Sequence, residues 1–125
     1  MKRGKPIPVV DIFAGAGGLG DGFDAYARGQ DRHGPFSVVL SAEMDGHAVD
    51  TLRTRAFYRS FAAPEVPRSY YEYAAGRRSV PWDERTEHVW RDASDRACQL
   101  RLGNPDDDRT LDLRIARIAR EENAQ

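Results

Sequence analysis

The stretch Val9-Val10-Asp11-Ile12-Phe13-Ala14-Gly15-Ala16-Gly17-Gly18-Leu19-Gly20-Asp21-Gly22-Phe23 decides the fold. An apolar segment runs through a glycine-rich turn into the first face of a helix. Val9, Val10 and Ile12 are β-branched, and a nearly unbroken apolar run suits a strand buried on both faces. The glycines at 15, 17, 18 and 20 suit neither a strand nor a helix interior. They let the backbone turn sharply and approach a ligand. The helix that follows offers unpaired N–H groups and a positive dipole end to an anion. The stretch therefore reads as a nucleotide or cofactor cradle at the C-terminal end of a first parallel strand.

Working outward, a strand is predicted over 7–13, entered through Pro8, which a strand start tolerates. A helix follows from Gly18 to about Arg28, with Leu19, Phe23, Tyr26 and Ala27 as its apolar face. Gly29 and Gly34 bracket the polar loop Gln30-Asp31-Arg32-His33. Phe36 to Ala42 is a second strand, closed by Glu43-Met44-Asp45. Asp45 is placed to cap a helix from Gly46 to about Phe57, with Ala48, Val49, Leu52 and Ala56 on one side. Strand, helix, strand, helix predicts an α/β fold with a parallel sheet.

Beyond residue 57 the alternation stops. Prolines at 64, 67 and 81 and the cluster Tyr70, Tyr71 and Tyr73 indicate loops around a short helix near 68–76. Trp90, Ala93, Ala97 and Leu100 form one stripe of a helix over 82–102. Asn104-Pro105-Asp106-Asp107-Asp108 is a strong helix start. That helix runs to about Arg120 with Leu111, Ile115 and Ile118 inward. Two strands are too few for a stable parallel sheet. The chain thus reads as the opening of a larger α/β domain: residues 1–57 belong to its ligand-binding part and 58–125 to a mostly helical insertion in the same domain.

The chain has 125 residues, 31% charged and 40% hydrophobic, with a formal net charge of −1. No global basic field points to nucleic acid. One cysteine, Cys98, excludes an internal disulfide framework and fits a reducing cytosol. No apolar run approaches the ~20 residues of a membrane span, and no signal-peptide apolar region follows the basic N-terminus. A cytoplasmic protein without membrane contact is expected.

Gly15 to Gly20 contains the G-x-G-x-x-G pattern shared by NAD, FAD and S-adenosylmethionine sites. Glu43, at the end of strand two, is placed to accept both ribose hydroxyls of a nucleoside. The wording of the turn is more specific than its spacing. Asp11-Ile12-Phe13-Ala14-Gly15-Ala16-Gly17-Gly18-Leu19 closely resembles the first motif of the DNA cytosine-5 methyltransferases. Glu43-Met44-Asp45-Gly46-His47-Ala48-Val49-Asp50-Thr51-Leu52 resembles their second.

That resemblance covers about residues 7–57. It implies a Rossmann-like class I methyltransferase domain and an S-adenosylmethionine site. Phe13 would pack on the cofactor, and the backbone of Ala14, Gly15, Gly17, Gly18 and Leu19 would hold its methionine part. Asp11 would orient the turn or the cofactor amine. Glu43 would take the ribose hydroxyls and Met44 would lie against the adenine. Asp45 would touch the cofactor or simply cap its helix.

The family's further motifs are missing. Its nucleophile is a Pro-Cys cysteine, and a Glu in an E-N-V motif contacts the base. Cys98-Gln99 is preceded by Ala97 and lies in a helical pattern, so Cys98 reads as an ordinary, partly buried thiol. The acidic residue that follows strand three in the family also has no match, since Asp92, Asp95 and Asp106–Asp108 fall in helical contexts. No catalytic residue and no metal site are assigned: His33, His47 and His88 lack partners at ligand spacing, and a charged first turn explains the three aspartates. Arg53, Arg55, Arg77 and Arg78 read as solvated faces, and the tyrosines as packing of an inserted helix.

The leading expectation is the cofactor-binding N-terminal segment of a DNA cytosine-5 methyltransferase, of the kind found in bacterial restriction-modification. It would be inactive alone. DNA would be the substrate of the complete enzyme, and a C-terminal catalytic and target-recognition polypeptide its partner. One alternative is a non-catalytic binding or regulatory module, or one subunit of a split enzyme. A second is an NAD- or FAD-binding oxidoreductase fragment, although Phe13 and the Gly17-Gly18 pair favour the methyltransferase.

Overall fold

The computed structural model describes residues 4–27 and 34–124. Three parallel strands form one sheet in the order β1 (Ile7–Ile12), β2 (Phe36–Glu43) and β3 (Ala97–Gln99). Five α-helices accompany them: α1 (Gly18–Ala25), α2 (Gly46–Arg59), α3 (Arg68–Ala74), α4 (Glu87–Asp95) and α5 (Pro105–Asn123). The expected βαβα opening is present, with each of the first two strands leading into a helix.

The sheet has a third strand where the sequence indicated a long helix over 82–102. Ala97, Cys98 and Gln99 pair with Ser41, Ala42 and Glu43. The Ser41 N–H donates to the Arg96 carbonyl at 2.7 Å, and the Leu100 N–H to the Glu43 carbonyl at 3.0 Å, extending the ladder at both ends. The periodicity misleads because the inward residues straddle a helix end. Ala93 packs in the α2–α4 core, while Ala97 and Leu100 are buried beside the sheet. Strand pairing overrides a stripe that local spacing alone would make helical.

β2 is central and best buried. β1 lies at the edge, so its expected burial on both faces does not hold: Ile7 and Ile12 are 58% and 47% exposed and only Asp11 is buried. The β1–β2 register slips between Val9 and Val10, so that Val9 pairs with Val38 and Val10 with Leu40. This bulge leaves Val39 without a partner and switches sides along β2. Val38 lies against Gly20 of α1, whereas Leu40 and Ala42 join Leu100 and Leu111 in a core that α5 covers.

α1 departs from its predicted face. It stops at Ala25, with Tyr26 extended and Ala27 left-handed; Arg28 and the 30–33 loop lie outside the described residues. Leu19 and Tyr26 are 69% and 64% exposed, Phe23 and Ala27 are also exposed, and the inward positions are Gly20 and Asp24. The reason is proximity. A Cβ on Gly20 would sit 3.0 Å from Asp11 Oδ2 and 3.5 Å from Val38 Cγ2, so α1 meets the sheet too closely for an apolar stripe.

α2 buries Val49, Leu52 and Ala56 as its spacing predicts, with Ala48 half-buried, and adds Phe57 at 0% exposure. Phe57 packs edge-on against Phe61 and Trp90, and Trp90 stacks on Trp82. α5 begins as expected: Asn104 Oδ1 accepts from the Asp106 and Asp107 amides at 3.1 and 3.2 Å. Leu111 is buried and Ile118 packs on the sheet core, but Ile115 is exposed. No helix among the described residues is long and apolar enough to cross a membrane.

Candidate functional site

The glycine turn leaves the C-terminal end of β1 and lies beside the end of β2. The Ala14 N–H donates to the Ala42 carbonyl at 3.1 Å, carrying the strand ladder into the turn, and the Gly17 N–H closes it on the Ala14 carbonyl at 3.0 Å. Gly15 and Gly17 have φ of 56° and 93°, a region that side chains strain to occupy. Gly17 has a second constraint: a Cβ there would stand 2.8 Å from Leu52 Cδ2. Gly17 caps α1 and, having no side chain, supplies no acceptor to the amides at the start of the helix. Those amides and the dipole suit an anion.

Glu43 is the electrostatic centre of the turn. Its Oε2 accepts from the Gly15 N–H at 2.7 Å, and its Oε1 from the Met44 and Asp45 amides at 2.9 and 3.2 Å. The Gly15 amide, more than the other two, holds the carboxyl below its ordinary range, so it is charged at neutral pH. A carboxylate has about four acceptor positions, and Oε2 uses one of its own. Glu43 can thus brace the turn and still accept a hydroxyl.

Two large apolar side chains stand open beside this carboxylate. Phe13 is 75% exposed and Met44 is 62% exposed, at the ends of paired strands. Phe13 is also left-handed, with φ of 54°, an uncommon backbone for a bulky residue and one found where a site fixes its side chain. Leu19, Gly18, Phe23, Tyr26 and Phe36 line an open groove of about 480 Å³ along α1.

The structure separates the remaining candidates. Asp11 is 8% exposed, and its Oδ2 is buried against Gly20 without a hydrogen-bond partner. Burial pushes its carboxyl up, opposed by the Gly20 amide and the Arg59 guanidinium. That position sets the Asp11 side chain between β1 and α1, against Gly20. Asp45 spends Oδ1 on the Ala48 amide at 2.8 Å, the helix cap expected of it.

Cys98 is in β3, not in a helix. It is half-buried, its Sγ lies 3.8 Å from the Asp95 carbonyl, and burial pushes the thiol up, the opposite of an activated nucleophile. With β3 placed, the residues that follow it are Leu100, Arg101 and Leu102, and none is acidic. Gln99 ends the strand instead, and its Nε2 donates to the Met44 carbonyl at 3.1 Å. This contact was hidden from sequence reasoning, because Gln99 lay inside the expected helix. The aspartates of α5 hold their own loop: Asp107 accepts from the Arg101 amide and Asp108 from the Gly103 amide. No group of three His, Cys, Asp or Glu side chains among the described residues is arranged to hold a metal ion.

The arrangement can hold a nucleoside with an anionic tail: an anion at the start of α1, hydroxyls at Glu43, and apolar surface on the Phe13 ring and the Met44 thioether. Among known proteins, the chain is similar to the Type II methyltransferase M.Bpa9945I of Bacillus paralicheniformis, 34% identical over 65 residues. The matched stretch is 52% of this chain but 13% of that protein, so the chain spans a small part of the relative. No protein-family model and no solved structure matches the chain.

Proposed function

We propose that the chain is the S-adenosylmethionine-binding segment of a methyltransferase, of the DNA cytosine-5 class. The observation that carries this reading is the charged Glu43 carboxylate braced by the Gly15 amide, with Phe13 and Met44 exposed just beyond the ends of the paired strands β1 and β2. The relative's name, Type II methyltransferase, supports the methyltransferase half. The motif resemblance at Asp11–Leu19 and Glu43–Leu52 supports the cytosine-5 half.

On this reading the first-turn amides of α1 bind the methionine carboxylate and Glu43 accepts the ribose hydroxyls. Phe13 and Met44 exclude water from the adenine. Asp11 and Gly20 fix the distance between α1 and β1. When bound, the cofactor supplies an electrophilic methyl group. The residues of this chain bind and orient it; the nucleophile and the DNA-reading surface would come from a C-terminal part, in the same chain or a second polypeptide, since the half-buried Cys98 thiol is not activated. DNA is then the substrate of the completed enzyme and the cytoplasm its compartment.

Calorimetric titration with S-adenosylmethionine and with NAD tests the cofactor. Saturable binding of the first and none of the second is expected. Binding of NAD alone would overturn the reading in favour of an oxidoreductase.

A further inference from the structure

We propose that Arg55 is a positioning residue for the carboxylate end of the bound cofactor, acting through Gly17 and Asp21; the proposal rests on the cofactor reading above. Arg55 lies in the third turn of α2, far along the helix from Glu43, yet it reaches the start of α1. Its Cδ would be 3.5 Å from a Cβ on Gly17, so its stem supports the residue that caps α1. Its Nη1 is ion-paired with Asp21 Oδ2, and Arg59 Nη1 takes the other oxygen, Asp21 Oδ1. Asp21 is in the first turn of α1. α2 therefore grips α1 at the end where the anion would bind.

This grip has two consequences. First, α1 and α2 begin at the ends of neighbouring strands, and the Arg55–Asp21 pair fixes one helix start relative to the other. That pair adds to the Gly15–Glu43 hydrogen bond in holding the carboxylate subsite at a fixed spacing from Glu43. Second, a carboxylate in the first turn would itself occupy the positive dipole end and repel an anionic ligand. Arg55 and Arg59 together neutralise Asp21 and Asp24, so this side of α1 carries no net negative charge toward the ligand. Arg55 is the more dispensable of the two for folding, with its side chain 40% exposed against 15% for Arg59.

The test is calorimetry of the 125-residue chain carrying Arg55→Met, which keeps the stem under Gly17 and deletes the charge. Two ligands are compared: S-adenosylmethionine, and methylthioadenosine, which has the nucleoside but no carboxylate tail. Affinity for S-adenosylmethionine should fall about tenfold, as expected when the helix start that receives the carboxylate loses the charge-assisted bond that positions it, while methylthioadenosine changes by less than about twofold. Arg55→Lys, which restores the charge, should recover most of the loss. Equal weakening of both ligands would show that Arg55 only holds the fold, and no weakening of either would show that it has no role; each overturns the proposal. A wild-type chain that binds neither ligand would overturn the cofactor reading, and this proposal with it.

Discussion

Replacing Gly17 by alanine should destabilise the chain by about 2–4 kcal/mol and abolish cofactor binding. Two costs add. A left-handed residue with a Cβ costs about 1–2 kcal/mol, and the new methyl stands 2.8 Å from Leu52 Cδ2. Leu52 is 3% exposed, so its methyl has little room to yield, and such overpacking costs about 1–3 kcal/mol. Differential scanning calorimetry should record a fall of about 10 °C in the melting midpoint. Gly15→Ala is the control. Gly15 shares the left-handed backbone, but a Cβ there meets nothing within 4 Å. It should lose about 1 kcal/mol only. Equal losses at the two positions would mean that the close approach of α2 to the turn is not a constraint.

Glu43→Gln should weaken S-adenosylmethionine binding by about 50-fold, measured by calorimetry at neutral pH. The amide is nearly isosteric, but it is uncharged and loses acceptor capacity, and hydrogen bonds to a charged acceptor are each worth about 1.5–3 kcal/mol. The same variant should change the acid stability. Because the folded carboxyl titrates below its ordinary value of 4.5, its contribution is fully present above that value. It is lost as the pH falls through the folded value. The wild type should therefore gain stability over Glu43→Gln as the pH is raised from acid to neutral, and an unchanged difference across that range would contradict the bracing role of the Gly15 amide.

Much of the site was legible because its parts are local. The turn residues from Phe13 to Leu19 are consecutive, and Glu43 announces itself as the acid that ends an apolar strand. Asp45 as a cap follows from its place before α2. What could not be read depends on contacts between distant segments. Gln99 reaches Met44 only because Ala97–Gln99 pairs with β2, and nothing local distinguishes that tripeptide from a helix with small and apolar residues at helical spacing. The bulge at Val39 has no signature among valines. It nevertheless decides which side of β2 faces α1 and which faces α5. α1 inverts for the same kind of reason: its apolar stripe is plain in the sequence, but Gly20 and Asp24 face inward because the helix sits close to Asp11 and Val38 and opposite Arg59. Asp24 Oδ2 lies 3.8 Å from Arg59 Nε, a pairing that no spacing rule connects.

The most direct test of the account is where the cofactor binds. A nitrogen-15-labelled sample of the whole chain, titrated with S-adenosylmethionine and followed by amide NMR shifts, reports this residue by residue. The account predicts the largest shifts at the amides of Gly15, Gly17, Gly18 and Leu19 and of Glu43, Met44 and Asp45. Shifts confined to other parts of the chain, or no shifts at saturating ligand, would contradict it.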